Sequence, residues 1–492
     1  MNLLVALRFC SASTQAAPPD LPSPETLLQR HIDALGGADA LRKARSLTFK
    51  GKVSLPLVNA KAPIEFLFQA PDRFLCQFRY HHAFFGFLKV PLVAKRQAEC
   101  GYDGTNGWIL DFDRKLEPLY GTDEAFFRGL LFNFSPLCFS RNFTLTRTLD
   151  IERFADRDCY RVLVVFPFGE HAFEFYDVKN GLLAGTVYPF ETDDDVVNVQ
   201  TTYSDFRPVG GGLRLPFRIS PRVGGQDYTI EATEVRTDVA NTSVPISKVK
   251  ASSASLPLLK SCSISARQVI DRYIDACGGA ESLRKHTSLR LSGHYEFPGP
   301  KGFTNQVEIS LAPPSRFGFT LTTPNGLYRE GCDGERFWRA EGSEIHFAAG
   351  KELAQLLISR RFLAELHAPE SFRSIDTLGI INLDGHECYQ LLLVRQNGEV
   401  FDEFYDVQTG WLRARRTADE RNGGAFKLLA DFKDYRRFGG WMLPTRQSYK
   451  LVGQPQVVVV TRAEWDTVPD ATFEMPPEVK AAWERQSAAR GR

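Results

Sequence analysis

Few side chains in this 492-residue sequence stand where chemistry would need them. His81 and His82 are adjacent, and neighbours on a strand point to opposite faces, so the pair reads as solvated loop rather than as a base or ligand pair. The run Glu191, Asp193, Asp194 and Asp195 has the charge to hold calcium but neither the spaced ligands nor the glycine of a calcium loop. It reads as a solvated hairpin tip. The nine cysteines, at 10, 76, 100, 138, 159, 262, 277, 332 and 388, form no CxxC and no cluster with histidine, so metal ligation lacks a donor set. Cys159 and Cys388, each followed by tyrosine in an apolar run, read as small buried hydrophobes, with a disulfide between them as the lesser alternative. No HExxH, GxSxG, phosphate-binding loop or GxGxxG in a strand–helix setting is present. Asp103-Gly104 and Asp333-Gly334 are turn chemistry; Tyr176-Asp177 and Tyr405-Asp406 lie at strand ends, where aspartate caps a turn. The expectation is a protein that binds rather than catalyses, with no catalytic residue, no metal and no cofactor.

What the chain has in quantity is apolar surface. Phenylalanine occurs 38 times against 3 methionines, and Gly and Pro punctuate the sequence at strand-like intervals, which favours β structure. Hydrophobic residues make up 43% and charged residues 24%, an ordinary globular composition in a chain long enough for two cores. A formal net charge of +1 leaves no basic excess to neutralise phosphates, which excludes nucleic acid as the expected partner. No apolar run reaches the length of a membrane-spanning helix.

The positioning elements appear twice. Ser23 to Leu55 reads SPETLLQRHIDALGGADALRKARSLTFKGKVSL, and Ser265 to Phe297 reads SARQVIDRYIDACGGAESLRKHTSLRLSGHYEF. At a constant offset of 242, Ile32, Asp33, Ala34, Gly36, Gly37, Ala38, Leu41, Arg42, Lys43, Ser46, Leu47 and Gly51 meet their identical counterparts from Ile274 to Gly293. This is a tandem duplication. Each copy opens with a helix capped by Ser23 before Pro24, or by Ser265 with Gln268 three residues on. Gly36-Gly37 and Gly278-Gly279 end these helices. The strand that follows alternates: Leu47, Phe49, Gly51 and Val53 face one way, Thr48, Lys50 and Lys52 the other. The glycine shared on its inner face predicts a bend or bulge. Hairpins follow at Ala70 to Phe74 and Tyr102 to Gly104, matched by Pro313 to Phe317 and Cys332 to Gly334. By then the offset is 230, so the first copy carries about twelve residues that the second lacks, around His81 to Lys95. A helical interval comes next, Asp123 to Phe134 in one copy and Lys351 to Leu366 in the other, and strands resume to the end of each.

This layout, with a helix ending in Gly-Gly, the two hairpins with Trp108 or Trp338 after the second, a mid-domain helical lid and a Tyr-Asp strand, resembles the periplasmic lipoprotein-carrier family of LolA and LolB. The wider group takes in lipoprotein-sorting-like and RseB-like domains. The resemblance implies a mainly β fold: two tandem incomplete antiparallel β-barrels, each with an N-terminal helix and a helical lid, holding acyl chains inside. In that family an inward arginine on an early strand helps hold the lid shut. Arg73 and Arg316 stand in turns, so the role passes to neither.

The expected boundaries are a truncated, signal-like segment at 1–20, a first barrel at 21–246, a linker at 247–262, a second barrel at 263–478 and a polar tail at 479–492, read as a short helix or disorder. The first copy has the better equipment for a hydrophobic ligand. Phe66, Phe68, Phe74 and Phe78 come from its first hairpin, Phe84, Phe85 and Phe87 from its extra segment, and Phe126, Phe127, Leu130 and Leu131 from its lid. They either pack on one another as a local core or form an apolar entrance, and residues 81–95 could touch a membrane. The second copy, with a lid of mixed charge, is expected to be filled. The function expected is an exported envelope protein of a bacterium that carries or senses a lipid or an acylated protein. The alternatives are an envelope protein-interaction module with packed barrels, and an enzyme with an unrecognised site.

Overall fold

The computed structural model describes residues 21–55, 60–80, 96–110, 115–119, 121–130, 134, 136–139, 143–191, 196–223, 225–238, 258–296, 304–323, 326–359, 362, 372–396, 398–419, 426–451 and 454–490. The signal-like segment, the histidine pair, the extra segment at 81–95 and Asp193 to Asp195 lie outside them, as do linker residues 247–257. The chain divides into two compact units between Leu259 and Lys260.

In the first unit the Ser23 hydroxyl accepts the Thr26 amide at 3.2 Å and starts α1 (Pro24–Ala34), followed by α2 (Ala38–Lys43). Six strands come next: β1 (Ser46–Leu55), β2 (Ala60–Gln69), β3 (Arg73–Tyr80), β4 (Arg96–Tyr102), β5 (Gly107–Leu110) and β6 (Leu116–Leu119). The lid helices are α3 (Gly121–Leu130) and α4 (Pro136–Phe139). Then come β7 (Leu145–Phe154), β8 (Arg157–Val165), β9 (His171–Asp177) and β10 (Leu183–Glu191). The last four are β11 (Val196–Pro208), β12 (Arg214–Val223), β13 (Gln226–Asp227) and β14 (Thr229–Thr237).

Every ladder within this sheet is antiparallel, and the order is β6-β5-β4-β3-β2-β1-β14-β12-β11-β10-β9-β8-β7, with β13 paired to the end of β12. The first strand pairs with the last, so the sheet curls. Among the described residues no ladder joins β6 to β7. The sheet is therefore an unclosed barrel, and α3 and α4 lie in sequence across its seam. Alternation puts Leu47, Phe49 and Val53 inside, as the sequence pattern predicts. The inner glycine marks a bulge: the β1–β14 register shifts between Lys50 and Gly51, and a Cβ on Gly51 would lie 2.4 Å from the Glu231 carbonyl oxygen. The first helix sits against the inner face, with Leu27 in the same cluster as Phe49, Phe66 and Tyr203.

The second unit repeats the plan. Ser265 and Gln268 form a complete capping box at α5 (Ala266–Cys277), and α6 (Ala280–Leu283) follows. The strands before its lid are β15 (Leu289–Glu296), β16 (Thr304–Ala312), β17 (Arg316–Thr323), β18 (Gly326–Cys332), β19 (Phe337–Glu341) and β20 (Glu344–Phe347). The lid helix is α7 (Gly350–Ser359). After it come β21 (Phe372–Leu383), β22 (His386–Arg395), β23 (Val400–Asp406) and β24 (Leu412–Asp419). Then β25 (Phe426–Phe438), β26 (Trp441–Leu451) and β27 (Gln454–Trp465) complete the sheet. The order β20-β19-β18-β17-β16-β15-β27-β26-β25-β24-β23-β22-β21 leaves the matching seam among the described residues, and the bulge recurs between Ser292 and Gly293.

Three details add to the sequence reading. Cys159 and Cys388 are both free, fully buried thiols, which is the small-hydrophobe reading and not the disulfide. The end of the linker is docked: Lys260 exchanges backbone hydrogen bonds with Ile380 at 2.9 and 2.8 Å. The polar tail is α8 (Pro477–Arg490), which buries Val479 against Trp338 and Phe347 on the outer face of the sheet, with Trp483 edge-on to Phe347 at 5.0 Å. Composition hid this because α8 is apolar at only a few positions. Val479→Asp would place a carboxylate in that contact and is expected to lower the unit's stability by on the order of 3 kcal/mol in urea unfolding followed by tryptophan fluorescence. An unmoved midpoint would show that α8 does not hold the sheet.

Candidate functional site

The curl of the first sheet brings two rows of inner residues under the lid. One row runs Phe66, Cys76, Cys100, Ile109 across β2 to β5; the next runs Ile64, Phe78, Ala98 across β2 to β4. With Val53 on one side and Phe190 and Val199 on the other, they enclose a cavity of about 120 Å³, and Phe126 and Phe127 of α3 close it. Glu99 is the single ionisable carboxyl group on a wall otherwise made almost wholly of carbon.

The second copy shows why the space exists. Its rows keep the same register, Ile309, Phe319, Glu330, Arg339 and Val307, Leu321, Tyr328. Small residues of the first copy thus correspond to large ones: Val53 to Tyr295, Cys76 to Phe319, Ala98 to Tyr328, and all three large rings are buried. Where the first copy has Cys100 and Ile109, the second has an ion pair. Arg339 Nε lies 3.5 Å from Glu330, and its Nη2 lies 3.7 Å from Glu352 of α7, which ties the lid to the strands. Tyr328 also donates its hydroxyl to Glu330. The interior volume given to rings and charges in one copy is open and apolar in the other.

The first lid is seated differently. Phe126 meets Phe190 edge-on at 5.1 Å, and Tyr203 donates its hydroxyl to the Gly129 carbonyl at 2.8 Å. Gly129 lies so close to the Tyr188 ring that a Cβ there would fall 2.1 Å from it, which only glycine avoids. Tyr188 is held in turn by Glu174, whose two oxygens accept the hydroxyls of Tyr188 at 2.9 Å and Tyr176 at 2.7 Å. Burial pushes the Glu174 carboxyl up to about 7, against the two hydroxyls that favour its charged form. The matching Glu403 has Tyr405 at 2.6 Å and the Arg415 guanidinium at 2.8 Å, and the position paired with Glu174 holds Thr186 instead of that arginine. Behind Tyr176, His31 accepts the Leu183 amide on Nδ1 at 3.0 Å, and burial pulls its imidazole down to about 3.

Of the residues singled out from sequence, Phe66, Phe78, Phe126 and Phe127 line the cavity. Phe74 is buried elsewhere in the core, stacked on Tyr102 at 6.3 Å. Phe68 lines a second chamber near α2, and Phe49 packs on Phe66 of one space and Phe134 of the other, at 5.4 and 6.0 Å. Leu130 ends α3, while Phe84, Phe85, Phe87 and Leu131 lie outside the described residues. Sequence reading by abundance of phenylalanine missed Val53, Cys76, Ala98 and Cys100. Their signal was a contrast in size between aligned positions of the two copies.

The chain is similar to LolA-like proteins. A LolA superfamily protein from Nitrosomonas europaea matches 43% of this chain and 99% of its own, at 12% identity and a TM-score of 0.32. A putative outer membrane lipoprotein-sorting protein domain from Vibrio parahaemolyticus matches 42% of this chain and 97% of its own, at 8% identity and a TM-score of 0.30. The lipoprotein LppX of Mycobacterium tuberculosis matches 42% and 98%, at 12% identity and a TM-score of 0.21. Each of these three matches spans less than half of this chain. No protein-family model and no curated protein matches the sequence.

The two buried groups give the first unit an opposed pH response. Glu174 ionises near 4.5 when unfolded and near 7 when folded, so its contribution is full below about pH 4.5 and is lost as pH rises through 7. His31 falls from 6.5 to about 3 on folding, so its contribution is full above about 6.5 and is lost as pH drops towards 3. Glu174→Gln leaves the His31 effect alone. On acidification from about pH 8 to 5 this variant is expected to lose more stability than the wild type in urea unfolding. Parallel losses would mean that Glu174 is not protonated in the fold.

Proposed function

We propose that the first copy binds a hydrocarbon chain, of a lipid or of a lipidated protein, and that the protein carries or senses that ligand in the bacterial cell envelope. The observation that carries this reading is the apolar cavity under α3, open at the places where the second copy inserts Tyr295, Phe319 and Tyr328. An apolar cavity of such size stays dry and accepts small hydrocarbons. About five buried methylenes would contribute roughly 4 kcal/mol gross at 0.8 kcal/mol each, before ordering costs. A full acyl chain is longer than the cavity, so loading it requires α3 to move off Phe190. The affinity that follows is modest, which suits a protein that must let its cargo go. The second copy serves as a filled scaffold or an interaction surface in this reading.

The test is to give the first copy the side chains of the second. Val53→Tyr with Ala98→Tyr fills the cavity with the residues that the second copy's sheet carries at the same register. The wild type is expected to retain extractable lipid or acylated peptide, identified by native mass spectrometry followed by solvent extraction. The double variant is expected to lose it with its circular dichroism unchanged. A wild type that carries no lipid and takes up no fluorescent fatty-acyl probe would leave the interaction-module reading in its place.

A further inference from the structure

The second chamber of the first copy has a chemistry that the cavity lacks. Its volume is about 270 Å³, and its floor is apolar, formed by Leu47, Phe68, Phe134, Leu137, Leu213 and Leu215. Three arginines, Arg42, Arg45 and Arg73, also line it, against the single carboxylate of Asp72. Arg42 is paired with Asp39 at 3.0 Å. Among the described residues the guanidinium groups of Arg45 and Arg73 have neither a hydrogen-bond nor an ion-pair partner.

The duplicate again supplies the comparison. Its hairpin arginine, Arg316, is satisfied within the chain, 2.5 Å from Asp470 and stacked over Phe473 at 5.1 Å. The position of Arg45 is taken there by Thr287, whose amide and hydroxyl both reach Asp466 at 2.6 and 3.1 Å. In the first copy Asp238 keeps the amide contact, holding Arg45 N at 2.9 Å, but the side chain has become a cation. Cationic groups are thus answered internally in one copy and left unanswered beside an apolar chamber in the other.

We infer that this chamber binds the anionic head of a single-chain amphiphile, a carboxylate or a phosphate ester joined to a hydrocarbon tail, with Arg45 and Arg73 at the head and the Phe68–Phe134 floor along the tail. The inference rests on the reading of the first copy as a hydrocarbon-binding cup, and it adds the ligand's charge. Guanidinium groups suit both anions because their planar donors match two oxygens at once. The apolar floor separates an amphiphile from a free anion, which would gain nothing from it.

The test uses the full chain at about pH 7.5 with three probes: 11-(dansylamino)undecanoic acid, its methyl ester, and inorganic phosphate as competitor. The acid is expected to bind at least about tenfold more tightly than the ester, as one or two charge-assisted hydrogen bonds would give. Millimolar phosphate alone is expected not to displace it. In Arg45→Gln/Arg73→Gln, and separately in Arg45→Thr, which installs the second copy's residue, the acid should weaken towards the ester while the ester is unchanged. Equal affinity for acid and ester in the wild type would overturn the inference and leave the hydrocarbon cup standing. Displacement by phosphate alone would also overturn it, in favour of a simple anion site. Failure of both acid and ester to bind would remove the inference and the hydrocarbon reading together.

Discussion

Each sheet of this protein curls far enough for its first strand to pair with its last, yet among the described residues no ladder joins β6 to β7 or β20 to β21. Backbone groups at such a seam need another partner or solvent, and the inner wall beside them needs an apolar cover. Closing the ladder would meet both needs and give a solid barrel. Placing helices in the chain at the seam covers the wall by side-chain packing instead. The cover and the wall can then have different volumes, and the interior can be full or partly empty without any change in the strands.

The two copies use that freedom in opposite ways. In the second, Arg339 links Glu330 on β18 to Glu352 on α7, and buried rings occupy the wall. Buried ion pairs of this kind gain little net stability, because desolvation offsets much of the attraction, but they fix geometry. In the first, the same register carries Cys100 and Ile109, and the lid meets the strands through aromatic edges and the Tyr203 hydroxyl. Duplication here allows a comparison: one backbone plan, two interiors, with inward positions such as Val53 and Tyr295, or Ala98 and Tyr328, differing in size. The buried Glu174, without the arginine its counterpart enjoys, belongs to the same divergence.

Much of the architecture was legible in the sequence, because it rests on local rules. Ser23 and Ser265 announce helix starts, Gly36 and Gly278 their ends, and the alternation from Leu47 to Val53 its buried face. Gly51 and Gly293, on an inner face where a side chain is expected, announce the bulge that lets each sheet curl. The cavity was not legible in the same way. It is an absence, made where Val53, Cys76 and Ala98 fail to fill space, and a count of phenylalanines responds to what is present. Phe74, apolar and in the right hairpin, is simply core. The docking of α8 was hidden for a related reason: Val479 and Trp483 make a narrow contact, too sparse to stand out in a charged stretch.

The way α3 is fastened has a kinetic consequence. It meets β10 and β11 through ring edges and through the Tyr203 hydroxyl on the Gly129 carbonyl. Lifting it disrupts packing but leaves the hydrogen-bonded strands whole, so opening belongs with the collective motions of microseconds to milliseconds and not with global unfolding. On the proposed reading, a hydrocarbon guest exchanges many times within the lifetime of one folded molecule.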